Sequence, residues 1–374
     1  MSVTIGDVAD RAGVSTATVS RVLSGSVKAR AATRERVLSA VRELGYRPSG
    51  VARSLKLQRT QTMGVIISDV ENPYFAEMVR AIEDVARELD YALLLCNGAE
   101  DPEREAAYLE LLAERRVDGI VIATGGVGKR HARWLAHAPI PVVMVNTETP
   151  VPGVPTILSD NRDGGRLAGE LLIRLGHREL GHLAAPAAHA AAGPRLAGVR
   201  DALKAAGLGG DCLAIAEGDG HVAGGERAMF ELLDSAPGVT GVVCYNDLTA
   251  IGALRALRAS GRRVPADVSV IGFDNLDLSA YVDPPLTTVV QQKQAMARWA
   301  VECLVGIITA GPRRLDEGAG SAGSRAVGPG STAVGPGSGA KEKVLRLPVT
   351  LLERESTGPA PRGILSPNTK GLRP

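Results

Sequence analysis

The stretch Val3-Thr4-Ile5-Gly6-Asp7-Val8-Ala9-Asp10-Arg11-Ala12-Gly13-Val14-Ser15-Thr16-Ala17-Thr18-Val19-Ser20-Arg21-Val22-Leu23 reads as two short helices joined by a tight turn. Thr4 can cap the first helix, whose apolar face holds Val8, Ala9 and Ala12. Gly13 stands where the chain must turn with positive φ. Ser15 can cap the second helix, in which Val19, Val22 and Leu23 fall at helical spacing. Ala9, Gly13 and Val19 have the spacing of a helix-turn-helix, and the second helix turns Thr16, Ala17, Ser20 and Arg21 outward. A polar helix face ending in arginine suits the reading of base edges in a DNA major groove.

Charge follows the same division. Residues 1–60 hold eleven Lys/Arg against four Asp/Glu, a balance of +7, whereas the whole chain is only +2. A basic head on a mildly acidic body is the pattern of a phosphate-binding module fused to a regulatory one. The alternative for such a head is a basic three-helix unit that binds protein. A third helix fits Thr33 to Leu44, stopped by Gly45 and Pro48. The segment Ser49–Lys56 is too short to be a stable helix alone and would order only when docked.

From Met63 onward the pattern changes. Gly64-Val65-Ile66-Ile67, Ala92-Leu93-Leu94-Leu95, Gly119-Ile120-Val121-Ile122 and Val142-Val143-Met144-Val145 are apolar runs separated by helical stretches. The alternation repeats through His182-Leu183-Ala184-Ala185, Leu213-Ala214-Ile215-Ala216, Gly241-Val242-Val243-Cys244 and Val268–Gly272. Continuous apolar strands with helical crossovers imply parallel sheets covered on both faces, here two α/β lobes with a ligand cleft beyond the strand ends. Residues 311–341, rich in Gly, Ser, Pro and Ala, predict a flexible loop. Val344–Leu352 predicts one returning strand, and residues 358–374 a disordered tail.

Composition excludes other classes. No run of about eighteen apolar residues is present and no signal-peptide pattern opens the chain, so a cytoplasmic protein without membrane contact is expected. The scattered Cys96, Cys212, Cys244 and Cys303 form no CxxC pair, which favours reduced thiols over zinc. Thr124–Arg130 lacks the spacing of a phosphate loop, no nucleophile elbow occurs, and His177 and His182 read as surface or loop residues. Neither an enzyme, a metal nor a cofactor is expected.

The head, with Tyr46-Arg47-Pro48, Val51-Ala52-Arg53-Ser54-Leu55 and Gly64-Val65 after it, resembles the lactose-repressor/galactose-repressor (LacI/GalR) family of bacterial transcription factors. Asn72-Pro73-Tyr74-Phe75, Asp160-Asn161, Gly176-His177-Arg178, Arg195-Leu196-Ala197-Gly198, Tyr245-Asn246-Asp247, Gly272-Phe273-Asp274 and Leu352–Thr357 extend the likeness. It implies an α/β protein: a small all-α helix-turn-helix head at 1–48, a hinge helix and linker at 49–60, and a two-lobed core at 61–357 like periplasmic binding proteins. By this likeness the lobe next to the head takes about 61–160 and 290–310. The other lobe takes 162–288 and the strand near 343–355. The implied function is a repressor that binds a double-stranded, pseudo-palindromic DNA operator as a homodimer, controlled by a small-molecule effector such as a sugar. The alternatives are a sugar-binding protein without a DNA role and an effector-independent regulator.

The expected DNA contacts are Thr4, Ser15, Thr16, Ala17, Ser20, Arg21 and Arg30 of the head, with Ala52, Leu55 and Lys56 of the hinge. Leu55 can wedge into the minor groove and kink the duplex, or pack as a core leucine against the head. The resemblance brings Arg195, Asn246 and Asp274 into the effector cleft, with Asn72, Phe75 and Asp160 nearby. Such groups can clamp sugar hydroxyls over an aromatic ring, or serve as ion pairs and helix caps. Three loops depart from the family. Ala29-Arg30 replaces a usual Val-Ser. Ala187–Gly193 carries His189 in place of Ser, Thr or Arg, and His221 follows Gly218-Asp219-Gly220 without the common aromatic.

Overall fold

A computed structural model describes residues 3–23, 30–47, 59–124, 131–310 and 344–361. The chain divides into two compact units, Met1–Gln61 and Thr62–Pro374. In the first, α1 (Ile5–Ala12), α2 (Thr16–Leu23) and α3 (Ala31–Leu44) enclose Val8, Ala9, Ala12, Val19, Val22, Val37 and Ala40. Thr4 and Asp7 form a reciprocal capping box at the start of α1. Gly13 closes that helix at φ 62°, where a side chain would be strained.

The second unit holds two six-stranded sheets. The first lobe contains β1 (Thr62–Ile67), α4 (Pro73–Glu88), β2 (Ala92–Asn97), α5 (Pro102–Glu114), β3 (Gly119–Ala123), α6 (Ala132–Ala136), β4 (Val142–Val145) and β5 (Thr156–Ser159). The second contains α7 (Asn161–Arg174), β6 (Leu180–Ala184), α8 (Ala192–Ala205), β7 (Leu213–Glu217), α9 (Val222–Ser235), β8 (Gly241–Cys244), α10 (Asp247–Ala259), β9 (Ser269–Phe273) and β10 (Thr287–Val290). The chain then returns to the first lobe as α11 (Lys293–Ala310) and β11 (Val344–Leu347), and ends in the second as β12 (Thr350–Leu352). The sheet orders are β11-β5-β4-β3-β1-β2 and β12-β10-β9-β8-β6-β7. Every pairing is parallel except β10 with β12. This is the parallel, doubly covered architecture that the apolar runs imply.

Three expectations need correction. The returning strand is two strands in different sheets, because Pro348 lacks an N–H and interrupts the ladder. Val344–Leu347 therefore belongs to the first lobe. The ordered chain also runs past Thr357: Gly358 accepts from Ser269 Oγ at 3.2 Å and Ala360 N donates to Leu175 O at 2.9 Å. Finally, His177 and His182 are both fully buried. His177 bonds Thr240 Oγ1 at 2.9 Å, and His182 lies inside β6. The predicted loop at 311–341 and the predicted tail from 362 onward lie outside the described residues.

Among the described residues, no helix is long and apolar enough to cross a membrane, and no His/Cys/Asp/Glu group is arranged to hold a metal. All four cysteines are free thiols.

Candidate functional site

The head presents one polar helix face. Ser15 accepts from Thr18 N at 3.3 Å and so starts α2, leaving Thr16, Ala17 and Arg21 exposed and Ser20 half-buried. Arg21 Nε donates to Ala17 O at 3.3 Å, which lays the guanidinium along the helix. Thr4 is spent on capping, and Arg30 begins α3 exposed, without a side-chain cap. Ala52, Leu55 and Lys56 of the expected hinge lie outside the described residues.

In the second unit, the ends of the strands and the crossings between lobes gather a buried polar cluster around Arg195. Its place is set by glycine. Helices α7 and α8 approach so closely that a Cβ on Gly165 would stand 2.0 Å from Arg195 O, and one on Gly198 1.9 Å from Arg162 O. The Arg195 side chain then lies flat, its Cζ 3.6 Å from the Phe273 ring centroid and 4.8 Å from that of Tyr245. Nε donates to Asn161 Oδ1 at 2.9 Å and Nη1 to Tyr245 O at 2.6 Å; Nη2 reaches Asp274 Oδ1 at 3.4 Å. Arg195 and Asp274 are each only 4 % exposed.

Asp274 has φ 113°, a conformation few side chains adopt, and functional loops are where such strain collects. Its Oδ1 also accepts from Gln291 Nε2 at 2.6 Å. Burial pushes the Asp274 carboxyl up, opposed by the charges of Arg195 and Lys293. Gln291 Oε1 in turn accepts from Ser159 Oγ at 2.7 Å and lies 3.4 Å from the Tyr74 hydroxyl, so one carboxamide joins both lobes. Nearby, Asp247 is fully buried; it accepts from Leu276 N at 2.7 Å and Thr288 Oγ1 at 2.5 Å, and burial raises its pKa to about 8. It holds the backbone that follows Asp274.

The other expected cleft residues are caps. Asn246 starts α10: its Oδ1 accepts from Thr249 N at 2.8 Å, and its Nδ2 donates to Gly220 O at 2.9 Å. Asp160 caps α7 through Asp163 N at 3.0 Å, and Asn72 caps α4 through Tyr74 N at 3.0 Å. Phe75 is half-buried, edge-on to Tyr74 at 5.3 Å. The structure thus joins Arg195 directly to Asp274 and gives Asn72, Asp160 and Asn246 roles at helix starts.

Asn161, Gln291, Tyr245, Phe273 and Tyr74 were not among the expected site residues. Four of them stand in motifs quoted above, adjacent to an expected residue. Gln291 had no such signal, because β10 before it is half threonine and shows no apolar run.

Comparison with known proteins agrees with this division. A family model described as bacterial regulatory proteins, lacI family, matches residues 4–49. One described as periplasmic binding proteins and sugar binding domain of LacI family matches 60–319. The chain is 37 % identical over 303 residues to the HTH-type transcriptional repressor PurR of Aliivibrio salmonicida, covering 81 % of this chain and 91 % of that one. Among solved structures, a lac repressor dimer bound to operator and the anti-inducer ONPF matches with TM-score 0.80 and 28 % identity, over 96 % of this chain and all of that one. A transcriptional regulator CelR–cellobiose complex matches with TM-score 0.67 and 33 % identity, over 95 % of this chain and 99 % of that one.

Proposed function

This chain belongs to the lacI family of bacterial regulatory proteins and is a DNA-binding transcriptional repressor, and from that premise we propose that it binds a pseudo-palindromic operator as a homodimer under the control of a small polyhydroxylated effector held between its two lobes. The observation that carries the effector reading is the Arg195–Asp274 pair. It is a carboxylate and a guanidinium backed by the Phe273 and Tyr245 rings, at the place where the chain crosses between lobes. A guanidinium donates and a carboxylate accepts, so together they match hydroxyls that do both. The solved relatives titled with cellobiose or ribose support the ligand class.

Apolar side chains at both sheet edges support the dimer. Leu94 and Leu95 on the edge strand β2 and Ile215 on the edge strand β7 are about two-fifths exposed. Uncovered edges of this kind favour partner contact. Regulation by cleft closure needs only a few kcal/mol of differential binding between two lobe arrangements. On this reading the protein acts in the cytoplasm, beside DNA, and catalyses nothing.

Calorimetry of the full chain against panels of sugars and purines tests the effector. A sugar should bind, and Asp274→Ala should lose that binding while keeping operator affinity. Binding of a purine and no sugar overturns the ligand class; an unchanged response in Asp274→Ala overturns the site. A second reading, an effector-independent regulator, is favoured by the internal satisfaction of Asn246 and Arg195; silence across both panels would select it.

A further inference from the structure

The two histidines that depart from the family pattern face two carboxylates of the opposite lobe. His189, in the β6–α8 loop of the second lobe, places Nε2 3.4 Å from Glu100 Oε2 in the first lobe. His221, just before α9 in the second lobe, places Nε2 4.0 Å from Asp69 Oδ2, after β1 in the first. The two loops are neighbours: His189 Cε1 lies 3.4 Å from where a Cβ on Gly220 would sit.

We propose that these two histidine–carboxylate pairs form a proton-operated latch, in which protonation of His189 and His221 makes ion pairs that hold the lobes closed. The proposal rests on the reading that lobe closure is the regulatory motion.

Both carboxylates are held in place. Glu100 has φ 58°, follows Ala99 at φ 51°, and its N donates to Ser68 O at 3.0 Å. Two successive left-handed residues are costly and fix where the side chain points. Asp69 Oδ1 accepts from Glu71 N at 2.9 Å. Its Oδ2 is shielded from solvent and has no hydrogen-bond partner among the described residues. A buried carboxylate oxygen without a donor is unfavourable, and a charged imidazole brought closer would supply one. Asp219 Oδ1 accepts from the backbone N of His221 at 2.9 Å, so a third carboxylate belongs to the same loop.

Three carboxylates bear on the pairs: Asp69 opposite His221, Glu100 opposite His189, and Asp219, whose charge acts on Glu100 together with those of both histidines. The Tyr245 ring packs edge-on to His189 at 5.7 Å, with Arg195 beyond it. The hydrogen bond from His189, aided by the charges of both histidines, holds the Glu100 carboxyl below its ordinary value. Glutamine at either position would keep a polar contact and lose the titration.

The test reads lobe separation directly and needs neither operator nor effector, so its failure is distinct from failure of the ligand reading. Nitroxides at Glu110→Cys on α5 and Lys204→Cys on α8, with Cys212→Ser and Cys303→Ser, report the distance by pulsed EPR in the full chain diluted with unlabelled subunits. Lowering the pH from about 8 to about 5.5 spans the ordinary imidazole range. The closed-to-open ratio should rise about two- to fivefold per pair, and most at low salt. The double variant His189→Gln/His221→Gln should not respond. If that variant fails to fold, Asp69→Asn/Glu100→Gln removes the same pairs from the opposite lobe and should abolish the response equally. No change in the parent protein, the same change in a folded variant, or a change that disappears with a metal chelator overturns the latch.

Discussion

Gly165 lies so close under Arg195 that a methyl group on it would stand 2.0 Å from the arginine's carbonyl oxygen. The obstacle is backbone, so no side-chain rotation can relieve it. Helix α8 would have to move away from α7, carrying the buried guanidinium off Phe273. Gly165→Ala should therefore cost about 1–3 kcal/mol, or more if α8 cannot shift. It should also weaken effector binding. A melting temperature equal to the parent's would show that the two helices are not locked in this way.

Arg195 and Asp274 should behave as a coupled pair. Arg195→Met leaves a buried carboxylate without its guanidinium, and losing one partner of a buried pair costs about 3–5 kcal/mol. In the double variant Arg195→Met/Asp274→Asn that uncompensated charge is gone, so the loss should be well below the sum of the single losses. Additive losses in denaturant titrations would contradict the coupling.

His182 links stability to acid. It is wholly buried in β6, neither ring nitrogen makes a well-formed hydrogen bond among the described residues, and burial, opposed by the backbone of Val243, lowers its pKa to about 4 from the ordinary 6.5. The folded chain then binds fewer protons at this site than the unfolded one. Its contribution is intact above pH 6.5 and declines as pH falls through the window from 6.5 to about 4. His182→Leu should flatten that part of the stability curve. It should also gain about 1–3 kcal/mol near neutrality by removing poorly satisfied buried polar atoms. An unchanged acid slope in the leucine variant would place the proton uptake elsewhere.

Arg21 tests the head. Arg21→Ala should cost about 1–3 kcal/mol on operator DNA and relax preference at one base position. Equal weakening on operator and random DNA would make Arg21 a phosphate contact.

The sequence was most legible where one pattern governed a whole element. Gly241–Cys244 is a strand at the bounds its apolar run predicts, and Gly13 turns the chain with positive φ as its position requires. Legibility failed where polar residues are buried. Thr156–Ser159 and Thr287–Val290 are short strands bearing threonine or serine, so neither stood out as an apolar run. The burial of His177 is not legible because it depends on partners that sequence does not display: here Thr240, Ser269 and Gly358, from 63 to 181 positions away. The cleft shows the same limit. Motif likeness singles out Asn246 and Asp160, but in the fold each one's side chain starts a helix. Gln291 became visible only once the crossing after β10 was placed between the lobes.

The polypeptide passes between its lobes three times: from β5 into α7, from β10 into α11, and from β11 into β12. Each passage is only a few residues long. Two bodies joined by one such link could swivel and twist freely. Joined by three, they resist twisting and sliding, and the compliant coordinate left is an opening angle about an axle through the links. Gln291 sits on that axle, and Gln292 beside it donates to Pro348 O at 2.8 Å, binding the second passage to the third. A contact between the lobes away from that axle, even a weak one, exerts a torque on the angle.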